Sequence, residues 1–315
     1  MRVFRIDQGG TPRVGIAAGV DAAEGELLTA GSDPLAALAD PAYAESRRSG
    51  ERVPLTGPLL PPVPATCVRD FITFEQHTAG SLRSVTGAGE VPPIWYQIPG
   101  FYFTNPHALI GSGAEVPMPP GSGLLDFECE VGIVIGRDGY NLSVEEAAGY
   151  IAGLTIFNDW SARDLQRREM QLGLGPAKGK DTATTLGPAL VSVDELGDVE
   201  EGGFWDLRMT ARVNGVEIGG DSLANMAWSF AELIAYASRG TWVRRGDVIG
   251  SGTCGGGCLA ELWGWRGAGD PPPLAVGDVV ELSVERLGTI SNRVVAGPPA
   301  HPVPEARRRS WSAPD

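Results

Sequence analysis

Two glutamates in the run LDFECEVGIVIG carry the first chemical signal. Glu128 and Glu130 are two residues apart in a segment that reads as extended, so their carboxylates share one face while Cys129 points to the other. Adjacent carboxylates repel unless a cation or a shared proton relieves them. A solvated edge strand would be the bland alternative, but the flanking VGIVIG is almost wholly apolar and reads as a central strand. A second run, LTIFNDWSARDLQ, ends five apolar residues on Asn158 and Asp159 before a helical stretch begins. Asp159 either caps that helix or supplies a third carboxylate at a strand end. Asp70 in VRDFITFEQH offers a fourth oxygen ligand. Carboxylates without thiolates or clustered imidazoles select a hard cation, Mg2+ or Mn2+, with Ca2+ as a further option.

Only three histidines occur, so His77 stands out as the general-base candidate. If ITFEQH is helical, His77 falls two turns after Asp70 and on the same side. Arg163 and Gln166, three apart, share a helix face. The loop GLGPAKGKDTATTLGP fails the phosphate-loop pattern, since Leu174 stands five before Gly179 and Asp181 follows Lys180; it is suited instead to presenting Lys180 to an anion. Cys254 and Cys258 in TCGGGC lack the spacing and the two further ligands of a zinc site, and read as free loop thiols.

The elements that must position these groups are mostly strands. Gly 44 and Pro 25 among 315 residues imply many turns, and CEVGIVIG, AGLTIFND, DLRMTARVNG, GDVIGSGT and VVELSVERLG all have strand character. Helices are expected from Ser143 to Tyr150, opened by a capping box, from Ser161 to about Met170, and from Asn225 to Ser238, closed by Gly240. Residues 1–65 read as a small β-rich region ending in a Pro-rich linker, 66–298 as the catalytic domain, and 299–315 as an exposed tail whose RRR is a solvated run. Lys+Arg 25 against Asp+Glu 39 gives a net charge of −14, which excludes nucleic acid and anionic membrane as partners. No apolar run approaches a membrane span, and MRVFRIDQGGTPR has no signal-peptide core, so a soluble cytoplasmic protein is expected.

Eight motifs in order, RDFITFEQH, IPGFYFTNP, LDFECEVGIVIG, FNDWSARDLQ, GPAKGKDTATTLGP, GDVIGSGT, LAELWG and GDVVELSVERLGTISNRV, make residues 67–295 resemble the fumarylacetoacetate hydrolase family. The resemblance implies a mixed α/β, strand-rich fold, a fumarylacetoacetase-like β-roll with a few flanking helices, forming a homodimer. It implies Asp70, Glu128, Glu130 and Asp159 as metal ligands, and His77 as base oriented by Glu261. Arg163, Gln166 and Lys180 would surround the substrate, Tyr102 and Thr253 would complete the pocket, and Thr184 would lie near the cation. The chain departs from fumarylacetoacetases proper at Ile72 and near Met170, where they carry tyrosines, and at their downstream arginine, for which Arg83 is only a loose match. Its N-terminal region is also shorter. The expected activity is metal-dependent hydrolysis of a C–C bond in a small 2-oxo acid or 1,3-dicarbonyl (acylpyruvate-like). The alternatives are β-oxo-acid decarboxylation, hydration or isomerisation of an enol acid at the same site, and an inactive metal-binding scaffold.

Overall fold

The computed structural model describes residues 1–19 and 22–311. The chain begins as antiparallel strands β1 (Arg2–Gln8), β2 (Thr11–Ala17) and β3 (Glu24–Leu28). Short helices α1 (Pro34–Ala39) and α2 (Pro41–Ser46) follow, each with proline in its first turn and an aspartate, Asp33 or Asp40, capping its free N–H groups. Then come β4 (Arg48–Pro54), β5 (Val68–Phe71), α3 (Glu75–Thr86), β6 (Phe101–Thr104) and β7 (Glu115–Pro117). The centre of the chain supplies β8 (Cys129–Ile135), α4 (Val144–Ala147), β9 (Ile151–Asp159), α5 (Arg163–Glu169) and β10 (Thr184–Ser192). The last third adds β11 (Arg208–Val213), β12 (Val216–Ser222), α6 (Phe230–Ala237), β13 (Val248–Gly250), α7 (Leu259–Arg266), β14 (Val279–Val284) and β15 (Gly288–Val295).

Two sheets organise these elements, one in the order β4-β3-β2-β1-β10-β9-β8-β13-β5-β6 and one in the order β12-β11-β14-β15-β7. Strand β8 lies in the middle of the large sheet and is buried along its whole length, so the apolar flank of the Glu pair marks a central strand. Its odd residues Val131, Ile133 and Ile135 pack with Leu154 and Ile156 of β9 against Met209, Ala211, Leu282 and Ile290 of the second sheet. Its other face, through Val134, joins Val68, Phe157, Leu186 and Val248, and this layer is covered by Leu35 and Leu38 of α1. The result is the mixed α/β, strand-rich fold expected. No helix among the described residues is long and apolar enough to cross a membrane.

Several elements differ from the sequence expectation. Asp70 and His77 do not share a helix: VRDF pairs with β13 on one side and β6 on the other, and α3 starts only at Glu75. Pairing on both edges outweighs the local helical spacing. Helix α6 starts at Phe230 rather than Asn225, because Ser229 and Glu232 form a reciprocal capping box there. Ser161 and Ala162 pair with Leu125 and Asp126 as a short strand, so α5 begins at Arg163. The short helix after Ser143 does form, with its capping box, and tightens to a 3-10 turn through Tyr150. The stretch 299–311 is exposed, and 312–315 lie outside the described residues.

The N-terminal strands are continuous with the large sheet. Arg2 and Val3 of β1 pair with Val191 and Leu190 of β10, and α1 roofs the apolar face beside the Glu pair. This continuity gives a stability prediction. Leu38→Ala, which empties a buried site in that roof, is expected to cost about 2–5 kcal/mol. Urea unfolding followed by tryptophan fluorescence should show one transition with its midpoint lowered. An unshifted midpoint for the main transition would show that residues 1–65 unfold as a separate unit.

Candidate active site

The period-2 alternation that builds the apolar layer also builds the site. On the face carrying Val68, Phe157, Leu186 and Val248, the next same-face residue along each strand is polar or glycine: Asp70 on β5, Asp159 on β9, Thr184 on β10 and Gly250 on β13. Register aligns them, with Asp159 opposite Thr184, and Gly250 between Gly132 and Asp70, which in turn faces Tyr102. Glu128 and Glu130 project from the same face at the start of β8. Asp70, Glu128 and Glu130 bring carboxylate oxygens within 4.8 Å of one another, and all three are buried. Asp159 does not cap α5, whose N-cap is Ala162; it is buried in the cluster.

The cluster is held by two cations and three hydroxyls. Lys180 Nζ pairs with Glu128 Oε2 and lies 3.1 Å from Asp159 Oδ2. The Arg163 guanidinium reaches Asp126 Oδ2 and Glu128 Oε1, both at 2.8 Å, and donates to Gln166 Oε1 at 3.1 Å, so the expected shared helix face exists. The Tyr102 hydroxyl lies 2.7 Å from Asp70 Oδ2 and also contacts Asp159 Oδ2. Thr253 Oγ1 donates to Glu130 Oε1 at 3.2 Å, and Thr184 Oγ1 lies 3.4 Å from Asp159 Oδ1.

Electrostatics divides the carboxylates. Burial alone would raise Glu128, but Lys180 and Arg163 outweigh it and hold the carboxyl at about 2. Asp70 has no such partner; desolvation, then the charge of Asp159, pushes it up to about 7. Glu130 is raised well above the carboxylate range by burial and by Asp70 and Glu128. Burial opposes the charge on Lys180, yet Asp159 and Glu128 keep its ammonium above the usual lysine value. Asp70 Oδ1 and Glu130 Oε2 are buried without a hydrogen-bond partner. Beside them Gly250 keeps space open: a Cβ there would sit 2.5 Å from Asp70 Oδ1 and 3.1 Å from Glu130 Oε2. Two partnerless acceptors, mutual repulsion and an all-oxygen donor set fit a hard divalent cation.

A second constellation, His77, Glu128 and Cys258, also brings ligand atoms within 4.8 Å of one another. Burial pushes the Cys258 thiol well above its ordinary range, and its sulfur accepts from the Glu261 N–H at the start of α7. It therefore serves as a helix cap. The dyad beside it rests on helix packing. His77, in the first turn of α3, places Nδ1 3.5 Å from Glu261 Oε2 in the first turn of α7. The two helices touch backbone to backbone: a Cβ on Gly264 would lie 2.0 Å from the Gly80 carbonyl, and one on Gly80 would lie 2.4 Å from Glu261 Cγ. Burial raises Glu261, but His77, Gln76 and the Gly256 N–H together bring its carboxyl below the normal value. The carboxylate is thus ionised and faces the imidazole.

Asp126 is a functional residue that the sequence reading missed. Fully buried, it accepts from the Leu259 and Ala260 N–H groups at the start of α7 and from Arg163 Nε. It therefore ties the arginine on Glu128 to the helix that carries Glu261. The signal was present as a third acidic residue, two before Glu128 in LDFECE.

Comparison with known proteins finds matches in both sequence and fold. A model of the fumarylacetoacetate (FAA) hydrolase C-terminal family matches residues 66–295. Over 172 residues the chain is 36% identical to oxaloacetate tautomerase YisK of Bacillus subtilis, covering 54% of this chain and 52% of that protein. Over 190 residues it is 35% identical to human mitochondrial oxaloacetate tautomerase FAHD2A, covering 60% and 56%. The chain spans about half the length of the curated relatives it matches. Among solved structures, 5-carboxymethyl-2-hydroxymuconate delta-isomerase from Mycobacterium smegmatis aligns with a TM-score of 0.67 at 27% identity, over 94% of this chain and 100% of that one.

The cluster makes a direct prediction about metal affinity. Glu130→Ala should abolish Mn2+ binding measured by calorimetry. Gly250→Ala, which removes no ligand but fills the space between Asp70 and Glu130, should weaken it by about 10–100-fold. Both variants should keep the wild-type circular dichroism spectrum. Wild-type affinity in Glu130→Ala would remove the cluster as the metal centre.

Proposed function

Because the chain belongs to the fumarylacetoacetate hydrolase C-terminal family, we propose that it is a divalent-metal-dependent enzyme that moves a proton on a 2-oxo acid, interconverting keto and enol forms. The observation that carries this reading is the His77–Glu261 dyad beside an all-carboxylate centre, with a His77 ring nitrogen within 4.8 Å of a Glu128 ligand atom. The relatives named as oxaloacetate tautomerases support proton transfer as the reaction. Glu128, Glu130 and Asp159, with Asp70 beside them, would hold Mg2+ or Mn2+, and the bound cation would supply Lewis acidity at the substrate's carbonyl oxygen.

The chain's own residues do the rest. Glu261 fixes the ring of His77 through Nδ1, which leaves Nε2 to take the proton from the carbon next to the carbonyl and to deliver it to the enolate oxygen, with the reverse transfer on ketonisation. Lys180, held charged by its carboxylate neighbours, faces the oxygen on which negative charge develops. Arg163 keeps Glu128 ionised and oriented, and Tyr102 bridges Asp70 and Asp159. The expected C–C hydrolysis is the second reading, favoured by the same dyad, because His77 could take its proton from water instead of from carbon. Decarboxylation would use the centre without the base. The homodimer belongs to this proposal too; a light-scattering mass near that of one 33.1 kDa chain would contradict it.

His77 decides among these readings. His77→Ala should slow enol–keto interconversion of oxaloacetate, followed by enol absorbance, by about 10²–10⁴-fold while leaving Mn2+ affinity intact. Glu261→Gln should show a smaller loss of the same kind. Acetylpyruvate cleaved by the wild type faster than oxaloacetate is tautomerised would move hydrolysis to first place. Near-wild-type turnover of the best substrate by His77→Ala would overturn the dyad and leave decarboxylation.

A further inference from the structure

A cavity of about 470 Å³ lies between α3, the segment 92–100, α5 and α7. Its inner wall includes Arg163 and Gln166, and it reaches Ser81, whose Oγ lies 3.4 Å from His77 Nε2. The cavity therefore borders the site at Arg163, whose guanidinium also holds Glu128, and at Ser81, behind which His77 stands. Away from them the walls are apolar, with Ile72, Leu82, Val85, Trp95, Met170 and Trp263 contributing.

Charge in the lining is confined to two arginines. Arg163 is already engaged with Asp126, Glu128 and Gln166. Arg167 lies on the exposed side of α5, at the rim. A second carboxylate on the substrate would meet no free cation in the depth of this space and would leave water without compensation. A volume of this size is within the range that holds a drug-sized ligand, far more than a four-carbon acid fills.

We propose that the cavity binds a bulky apolar substituent, aryl or a long alkyl chain, on a 2-oxo acid whose oxo-acid end meets Lys180 and the carboxylate centre. This rests on the oxo-acid reading above and adds a preference within that class: an apolar tail is favoured over a second carboxylate such as that of oxaloacetate. The contacts are with carbon, so affinity grows with the apolar surface removed from water.

Inert oxamates test the assignment by binding alone. Oxamate, N-butyl-, N-hexyl- and N-benzyloxamate, and N-carboxymethyloxamate as the dicarboxylate control, would be titrated by calorimetry into the Mn2+-loaded full chain. Affinity should rise about fourfold for each methylene that enters the cavity, and N-carboxymethyloxamate should bind no better than oxamate. Met170→Glu and Val85→Asp, both at exposed rim positions that fold tolerates, should each remove at least tenfold of the gain from the hexyl tail. Equal affinity across the alkyl series, or tightest binding of the dicarboxylate, overturns the cavity's assignment. If no oxamate binds, the oxo-acid reading itself fails and this inference with it.

Discussion

Mutual repulsion among four carboxylates at one end of a buried sheet face is the constraint on which the rest of this structure depends. Asp70, Glu128, Glu130 and Asp159 are each almost fully removed from water, and isolated buried charges of one sign are strongly destabilising. Lys180 and Arg163 offset part of that cost, at Glu128 and Asp159. They leave Asp70 and Glu130, flanking Gly250, as the pair without a compensating cation. A centre of this kind is poor for stability and good for binding a divalent cation, since the ligands are already gathered and desolvated.

Rigidity of the surrounding sheet makes the arrangement persist. The carboxylates come from three paired regions, β9, β8 with the residue before it, and β5 beyond β13, locked in register by ladders on both sides. The layer directly behind them is close-packed Val68, Phe157, Leu186 and Val248. Relaxing the repulsion by moving a strand would open that layer, which close-packed interiors resist. The N-terminal strands and α1, which carry no site residue, act here by sealing the same face.

The half of the site that holds His77 and Glu261 is organised differently. His77 and Glu261 lie on separate helices whose backbones meet at Gly80 and Gly264, and Asp126 anchors the start of one of them to the arginine that orients Glu128. The dyad and the carboxylate centre are thus mechanically joined through one buried aspartate. The apolar cavity borders both halves, at Arg163 beside Glu128 and at Ser81 beside His77.

By itself the sequence determined the family and much of the architecture, and it suggested a chemistry. Same-face spacing in LDFECE, the strand end at Asp159 and the scarcity of histidine pointed to a hard-cation centre with one base, because alternation along a strand and donor chemistry are local properties. The strands named from apolar runs all form, for the same reason. Tertiary structure alone decided the rest. That Asp70 lies on a strand and not on the helix of His77 depends on β13 and β6, distant in sequence, pairing on either side of VRDF. That Asp126 is an anchor depends on α7 arriving 133 residues later to offer its N–H groups. That Gly250 leaves room beside two carboxylates, and that Ile72 and Met170 face one cavity, follows from register and packing between segments far apart in the chain. Single-residue types and local periods cannot encode such contacts, because they are set by which surfaces exclude water together.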